Sequence, residues 1–309
     1  MTPVPITRII RICRNVAMLD ASVAFYEDRL GFRSSGPTRV MEPLLAAARG
    51  FGARPIRAQR LMLGKQELEL VETGPSARPY PTQYTSADLD FQHIAIRCPD
   101  ISAAFEQLHR DDSRSACPTA ISRGPDLRPA PIRLPDNSGG VTAFKFRDPD
   151  RHPVELLQPA GNERIRSTVR PGIDHTAISV SSAPLGIAFY GDALGMGVSA
   201  YQTNSGGEQG SLDALDSPIV DVVSLQTTSG LSPHLELLAY RKPIAPRCHE
   251  RARATDIVSD RTVICCSDVS LLARNLGMEC HLFRLASGDR GFLFRDPDGH
   301  IFEATERLA

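Results

Sequence analysis

The sequence has almost no excess of charge of either sign: 35 Lys and Arg stand against 36 Asp and Glu, a formal net charge of −1. A chain so balanced exerts no general pull on nucleic acid or anionic lipid, and no sustained basic run supplies a local one. Long apolar runs are missing too, and nothing approaches the roughly 20 residues that span a bilayer. The opening MTPVPITRIIRICRN carries its arginines within and after the apolar residues, without the charged-then-apolar layout of a secretory leader. Neither nucleic acid nor a membrane is therefore expected as a partner, and a cytoplasmic location is expected. No CxxC occurs among the seven cysteines, Cys13, Cys98, Cys117, Cys248, Cys265, Cys266 and Cys280. Most lie in apolar, strand-like runs, so reduced buried thiols are expected rather than a disulfide framework.

What the chain does have is repetition. Its 309 residues suffice for one large domain or two of about 150. Two stretches pair a helix carrying FY with a following LG: SVAFYEDRLGF at Ser22–Phe32 and GIAFYGDALGM at Gly186–Met196. Two others pair strands across a tight turn: FKFRDPDRHPVELL at Phe144–Leu157 and FLFRDPDGHIFEAT at Phe292–Thr305. The signatures alternate along the chain, as in a duplicated pair of units.

Each unit reads as a strand, a helix and three strands. In the second, Gln92–Cys98 alternates apolar residues at Ile94 and Ile96, and Asp100 is placed to cap a helix over Ile101–Arg110. Strands Val141–Arg147 and Pro153–Gln158 flank the DPDR turn. The units span about Ile6–Glu72, Gln92–Gln158, Asp174–Tyr240 and Asp260–Glu306, joined by Pro-, Gly- and charge-rich segments at Thr73–Asp90, Pro159–Gly172 and Arg241–Ser259. The insertion Ser122–Gly140 shows no periodicity and is expected to form a lid over a site.

Strand-helix-strand-strand-strand units in pairs, with FY…LG helices and DPDGH turns, closely resemble the vicinal-oxygen-chelate superfamily of glyoxalase I, extradiol dioxygenases and bleomycin-resistance proteins. The resemblance covers almost the whole chain. It implies an α+β fold in which four βαβββ modules form two half-open mixed-sheet barrels. By sequence the modules group into an N-terminal half, residues 1–160 with modules 1–72 and 90–158. A C-terminal half follows at 172–309, with modules 173–240 and 260–306. The resemblance also implies a divalent metal, with ligands from the first and last strands of two paired units.

At the first-strand position the units carry Arg11 (Arg8 if the register slips), His93, His175 and Arg261; at the last-strand position they carry Glu69, Glu155, Glu236 and Glu303. Pairing unit 1 with 2 and unit 3 with 4 would put one arginine in each site, and a guanidinium has no lone pair to donate. The crossed pairing, 2 with 3 and 1 with 4, collects His93, Glu155, His175 and Glu236 at one site. That donor set suits one Zn, Ni, Co, Mn or Fe ion with open positions. It leaves Arg11, Glu69, Arg261 and Glu303 to neutralise one another in an abandoned second site. Strand alternation puts His93 opposite Ile94 and Ile96, and Glu155 opposite Val154 and Leu156.

His152 and His300 in the DPDxH turns are expected to pack the turn. His234 and Tyr240 share the face of Glu236, as an acid/base or supporting group and as a proton donor or a satisfied buried phenol. Arg97 is placed to bind an anion or rim the barrel; His109, His249 and His281 are expected to be solvated or structural. The resemblance implies a metal-dependent lyase or isomerase whose metal holds two neighbouring oxygens of a small substrate and stabilises an enediolate. Glu155 or Glu236 would then move the proton, with Tyr240 also catalytic. An extradiol-type dioxygenase is the runner-up, since two His and one carboxylate suit Fe(II). A metal-free small-molecule binder or resistance protein is the third reading. Monomer and homodimer are both compatible with four units in one chain.

Overall fold

The computed structural model describes all residues except 1–3, 53, 112–114, 162–167, 245–251, 278–281, 285–287, 289 and 307–309. Cys248, Cys280, His249, His281 and parts of two joining segments lie outside the described residues. The first unit contains β1 (Ile6–Val16), α1 (Leu19–Leu30), β2 (Arg33–Ser34), β3 (Arg39–Met41), α2 (Pro43–Ala48), β4 (Ile56–Leu63) and β5 (Gln66–Glu72). The second contains β6 (Gln92–Arg97), α3 (Ile101–Leu108), β7 (Thr119–Ala120), β8 (Ile132–Arg133), β9 (Thr142–Arg147) and β10 (Pro153–Gln158). The third contains β11 (Gly172–Ser179), α4 (Ala183–Ile187), β12 (Gly197–Ser205), α5 (Gly206–Asp213), β13 (Ile219–Gln226) and β14 (His234–Lys242). The fourth contains β15 (Arg261–Cys266), α6 (Val269–Asn275), β16 (Phe283–Arg284), β17 (Arg290–Arg295) and β18 (Ile301–Glu306).

Local signals explain several of these boundaries. The Asp100 carboxylate accepts from the backbone N–H groups of Ser102 and Ala103, satisfying orphan donors at the start of α3. Gly31 ends α1 in the left-handed region at φ +74, where a Cβ would be strained. The helix α3 stops two residues before the expected Arg110. There His109 turns back, with Nδ1 2.9 Å from the Phe105 carbonyl.

Two mixed sheets of nine strands result. One runs β16-β17-β18-β15-β1-β5-β4-β2 with β3 on β4; the other runs β12-β13-β14-β11-β6-β10-β9-β7 with β8 on β9. The antiparallel pairs β1–β15 and β6–β11 join unit 1 to unit 4 and unit 2 to unit 3. Each sheet thus draws on both halves of the chain, the crossed arrangement. The two sheets are tied together within each half, through the repeated motifs. The Tyr26 hydroxyl of the first FY pair donates to Asp148 in the DPDR turn at 2.7 Å, and Tyr190 of the second donates to Asp296 in the DPDG turn at 2.7 Å. Both tyrosines are fully buried, where an unpaired hydroxyl would cost about 1–3 kcal/mol.

The main core lies between the helices and one face of each sheet. It contains Ile94, Ile96, Val154 and Leu156 from one sheet and Ile12, Leu68, Ile264 and Phe302 from the other. The alternation of side chains then commits His93, Glu155 and their counterparts to the opposite faces.

Candidate metal centre

Strand register assembles the site in two rungs. Across the first run His234 on β14, His175 on β11, Ala95 on β6, Glu155 on β10 and Lys145 on β9, each facing the next. Across the second run Ser224 on β13, Glu236 on β14, Ala177 on β11 and His93 on β6. Ala95 and Ala177 occupy the central positions, where a methyl group leaves room between the longer side chains. The rungs line a pocket of about 370 Å³, a volume suited to a small molecule.

His93, Glu155 and His175 converge: all three are buried, and one donor atom from each lies within 4.8 Å of the others. His93 Nε2 is 3.0 Å from Glu155 Oε2, and neither ring nitrogen of His93 makes a well-formed hydrogen bond. Two orphaned imidazole nitrogens in a buried site are a cost that a metal bond would relieve. Burial, acting against its imidazolium form, pushes the His93 pKa down to about 4, so a lone pair is available for coordination near neutrality. The donor set therefore fits a divalent ion.

Glu236 stands slightly apart. Its Oε2 is 3.5 Å from His175 Nε2, while its Oε1 accepts from Ser224 at 2.9 Å and meets His234 Nε2 at 3.2 Å. His175 is flanked on its other nitrogen by Asp174 at 3.3 Å. Burial opposes charge on His175, but Glu236 and Asp174 together raise its pKa to about 9. Asp174 is the unpaired residue at a bulge between Ile173 and His175 in the β11–β6 pairing. Asp174, His175 and His234 form a second close group of donors.

The remaining expected residues are placed as follows. Arg97 is paired with Asp174 at 3.0 Å. Tyr240 donates to Asp213 at 2.7 Å. His152 and His300 are buried in their turns, with Nε2 2.7 Å from the carbonyls of Asn15 and Leu89 respectively. The Ser122–Gly140 segment is ordered by β8, packs on α5 through Leu134 and Leu212, and contributes Leu134, Ser138 and Gly139 to the pocket.

Two charged residues were not foreseen. Buried Lys145 pairs with Asp213 at 2.7 Å and lies 4.0 Å from Glu155. A sequence signal exists, since FKFRDPD puts lysine where the sister motif FLFRDPD has Leu293. Asp213 sits at the end of α5 and gathers Lys145, Tyr240 and Gln209. Nothing in its local sequence announces this.

In the other sheet the corresponding positions hold ion pairs. Glu303 meets Arg49 at 2.6 Å and Arg261 at 2.9 Å; Arg11 meets Glu67 at 2.8 Å and Glu69 at 3.8 Å; Arg60 meets Glu69 at 3.2 Å. Arg49, supplied by the end of α2, is an unforeseen third buried arginine. The pairing of Arg11 with Val263, as His93 pairs with Ala177, places Arg11 rather than Arg8 at the equivalent position.

A family model described as the Glyoxalase/Bleomycin resistance protein/Dioxygenase superfamily matches residues 8–156. Just under half of the chain is thus similar to that superfamily. Glyoxalase I from Zea mays has a similar structure, with a TM-score of 0.61 at 16% identity over 97% of this chain and 92% of that one. A provisionally named dioxygenase from Bacillus subtilis subsp. subtilis str. 168 gives 0.58 at 10% identity over 99% and 86%. At such identities the likeness is one of fold. No curated protein sequence matches the chain. Among the described residues no helix is long and apolar enough to cross a membrane.

Proposed function

We propose that the chain is a metal-dependent lyase or isomerase acting on a small substrate with neighbouring oxygens. His93, Glu155 and His175, with Glu236 beside them, would hold one divalent ion. The observation that carries this reading is the division of labour between two buried carboxylates. Glu155 lies 3.0 Å from His93 and gathers with His175 into one group of donors, whereas Glu236 meets His175 alone of the pair, at 3.5 Å, and is held on its other oxygen by Ser224 and His234. A bound divalent ion would supply Lewis acidity at a substrate oxygen. Glu236 is the group positioned to take a proton from the adjacent carbon, because Ser224 and His234 hold its Oε1 while its Oε2 lines the pocket 3.5 Å from His175 Nε2. His234 and Ser224 fix the carboxylate's orientation, and Lys145 holds Glu155 ionised: its pKa is depressed by His93 and Lys145 against burial. Tyr240, whose hydroxyl donates to Asp213 at 2.7 Å, is a supporting group.

A second reading has its own support. Two histidines and a single converging carboxylate also suit a ring-cleaving dioxygenase with open positions on Fe(II).

Metal analysis of the purified protein beside a His93→Ala/His175→Ala variant tests the site. About one divalent ion per chain is expected in the wild type, and almost none in the variant. Neither protein taking up metal after reconstitution would sink both readings. Glu236→Gln then separates them: solvent-proton exchange into the substrate is lost on the first, with metal content kept.

A further inference from the structure

The wall facing the metal ligands is built of carboxamides. Asn204 on β12, Gln209 on α5 and Gln226 on β13 line the pocket, and each carries a buried side-chain oxygen with no hydrogen-bond partner. Asn204 and Gln209 are both 4% exposed. Buried acceptors left empty are costly, so an arrangement of three in one pocket points to a ligand that donates to them.

For Gln209 the chemistry is fixed. Its Nε2 donates to the Asp213 carboxylate at 2.6 Å, which orients the amide and leaves Oε1 as a pure acceptor. A hydroxyl or N–H of a ligand, displacing water, would satisfy it. The charges around the pocket meanwhile disfavour an anion. Lys145 is already committed to Asp213 at 2.7 Å, and Arg97 to Asp174 at 3.0 Å. Glu155, Asp174 and Glu236 face the same space and would repel a carboxylate. Among the described residues the lining also includes Ser138, Ser199 and Gln202 and the aliphatic Leu134, Val141 and Leu212, with no Phe or Tyr on which an aromatic ring could stack.

We propose that the pocket takes an uncharged aliphatic molecule bearing several hydroxyls. Its neighbouring oxygens would lie toward His93, Glu155 and His175, and its other hydroxyls would donate to Gln209, Asn204 and Gln226. The proposal rests on the reading of the site above and names its substrate class. It separates this pocket from one for a glutathione adduct, which brings carboxylates, and from one for a catechol, which brings a ring. Recognition by oriented acceptors is selective, because a ligand lacking the donor leaves them unpaired.

The test is calorimetric titration of metal-reconstituted protein with three probes: xylulose, a neutral five-carbon hydroxyketone; S-lactoylglutathione; and catechol. Metal content is measured in every sample. The wild type is expected to bind xylulose at least about ten-fold more tightly than either other probe. Asn204→Leu and Gln209→Leu should each weaken xylulose by about ten-fold while keeping their metal. Gln209→Leu also removes the bond to Asp213, so Asn204→Leu, which breaks no such bond, decides the matter if the helix is disturbed. Tighter binding of the thioester or the catechol, no binding of xylulose, or unchanged affinity in Asn204→Leu would overturn the proposal and leave the metal site standing. Protein that takes up no metal yet binds xylulose through Asn204 would instead end the lyase reading and keep this one.

Discussion

Arg11 and Arg261 occupy in one sheet the register positions that His93 and His175 occupy in the other: Arg11 faces Val263 as His93 faces Ala177, and Arg261 faces Cys13 as His175 faces Ala95. The supporting residues differ in the same direction. By the repeat, Ser224 beside Glu236 becomes Arg60 beside Glu69, His234 beside His175 becomes Glu67 beside Arg11, and Lys145 beside Glu155 becomes Leu293 beside Glu303. Where the first sheet places alanines and leaves a pocket, the second places valine and cysteine, and Phe51, clustered with Met41 and Ala46, lies 5.9 Å from the Arg261 guanidinium. Burial pushes the Cys13 thiol up to about 12, so it remains a neutral filler. One fold, duplicated, has thus kept all four glutamates and put them to two uses. Lone-pair donors beside a glutamate make a site that could hold a cation, whereas guanidinium groups supply the cation from within the chain.

The largest way to break this comparison is Glu303→Ala. Glu303 is fully buried and serves both Arg49 and Arg261, whose Nε atoms already lack well-aligned hydrogen bonds. Removing the carboxylate strands two buried cations, and urea unfolding should show a loss of about 3–5 kcal/mol. A loss below about 1 kcal/mol would mean that apolar packing, not charge, closes that face.

The turn histidines sharpen the contrast by the sign of their pH dependence. His300 sits between the Asp296 carboxylate at 2.8 Å and the Leu89 carbonyl. Burial opposes its charge, but Asp296 and then Asp298 raise its pKa above the ordinary 6.5. Its stabilisation is therefore complete below pH 6.5 and is lost as the pH rises through its folded value. His152 contacts Asp260 at 3.3 Å, but that carboxylate is committed to Arg14 at 2.7 Å; burial first, and Arg14 and Arg147 after it, hold the imidazole neutral. The cost of charging it appears in the reverse sense, so its stabilisation is present above pH 6.5 and lost as the pH falls through that value. Thermal unfolding of His300→Gln and His152→Gln between pH 5 and 8 should show wild-type advantages that change in opposite directions. Parallel curves would refute the assignment.

The smallest effect lies in the backbone of the same turns. Arg151 in DPDR adopts φ +73, where its counterpart Gly299 adopts φ +105. Arg151→Gly should raise stability by up to about 1 kcal/mol, measured by urea unfolding, because the side chain is strained in the left-handed region. A loss would show that the arginine's contacts outweigh that strain.

Much of this was legible because it rests on periodicity. Unit boundaries, the Asp100 cap and the faces of His93 and Glu155 follow from alternation and spacing, which operate within a strand or a turn. The crossed pairing was also readable, from the coordination chemistry of where the histidines and arginines fall. Arg49, Asp213, Asp174 and the acceptor wall were not. Arg49 reaches its partner from a short helix 254 residues away in sequence, and Asp174 joins His175 through a bulge that alternation does not anticipate. The Tyr26–Asp148 and Tyr190–Asp296 bonds show why FY and DPD recur together, yet their partnership spans units and has no local signature.

By itself the sequence determined the repeated unit, the residue types at the eight ligand positions and the face of the strand each occupies, since all are consequences of side-chain period and local capping. Only the tertiary structure decided which glutamate closes on the histidines and which is held aside, whether a face is open or filled, and which charges are already spent on one another. Those depend on residues far apart in the chain meeting across a sheet, where burial makes each pairing count.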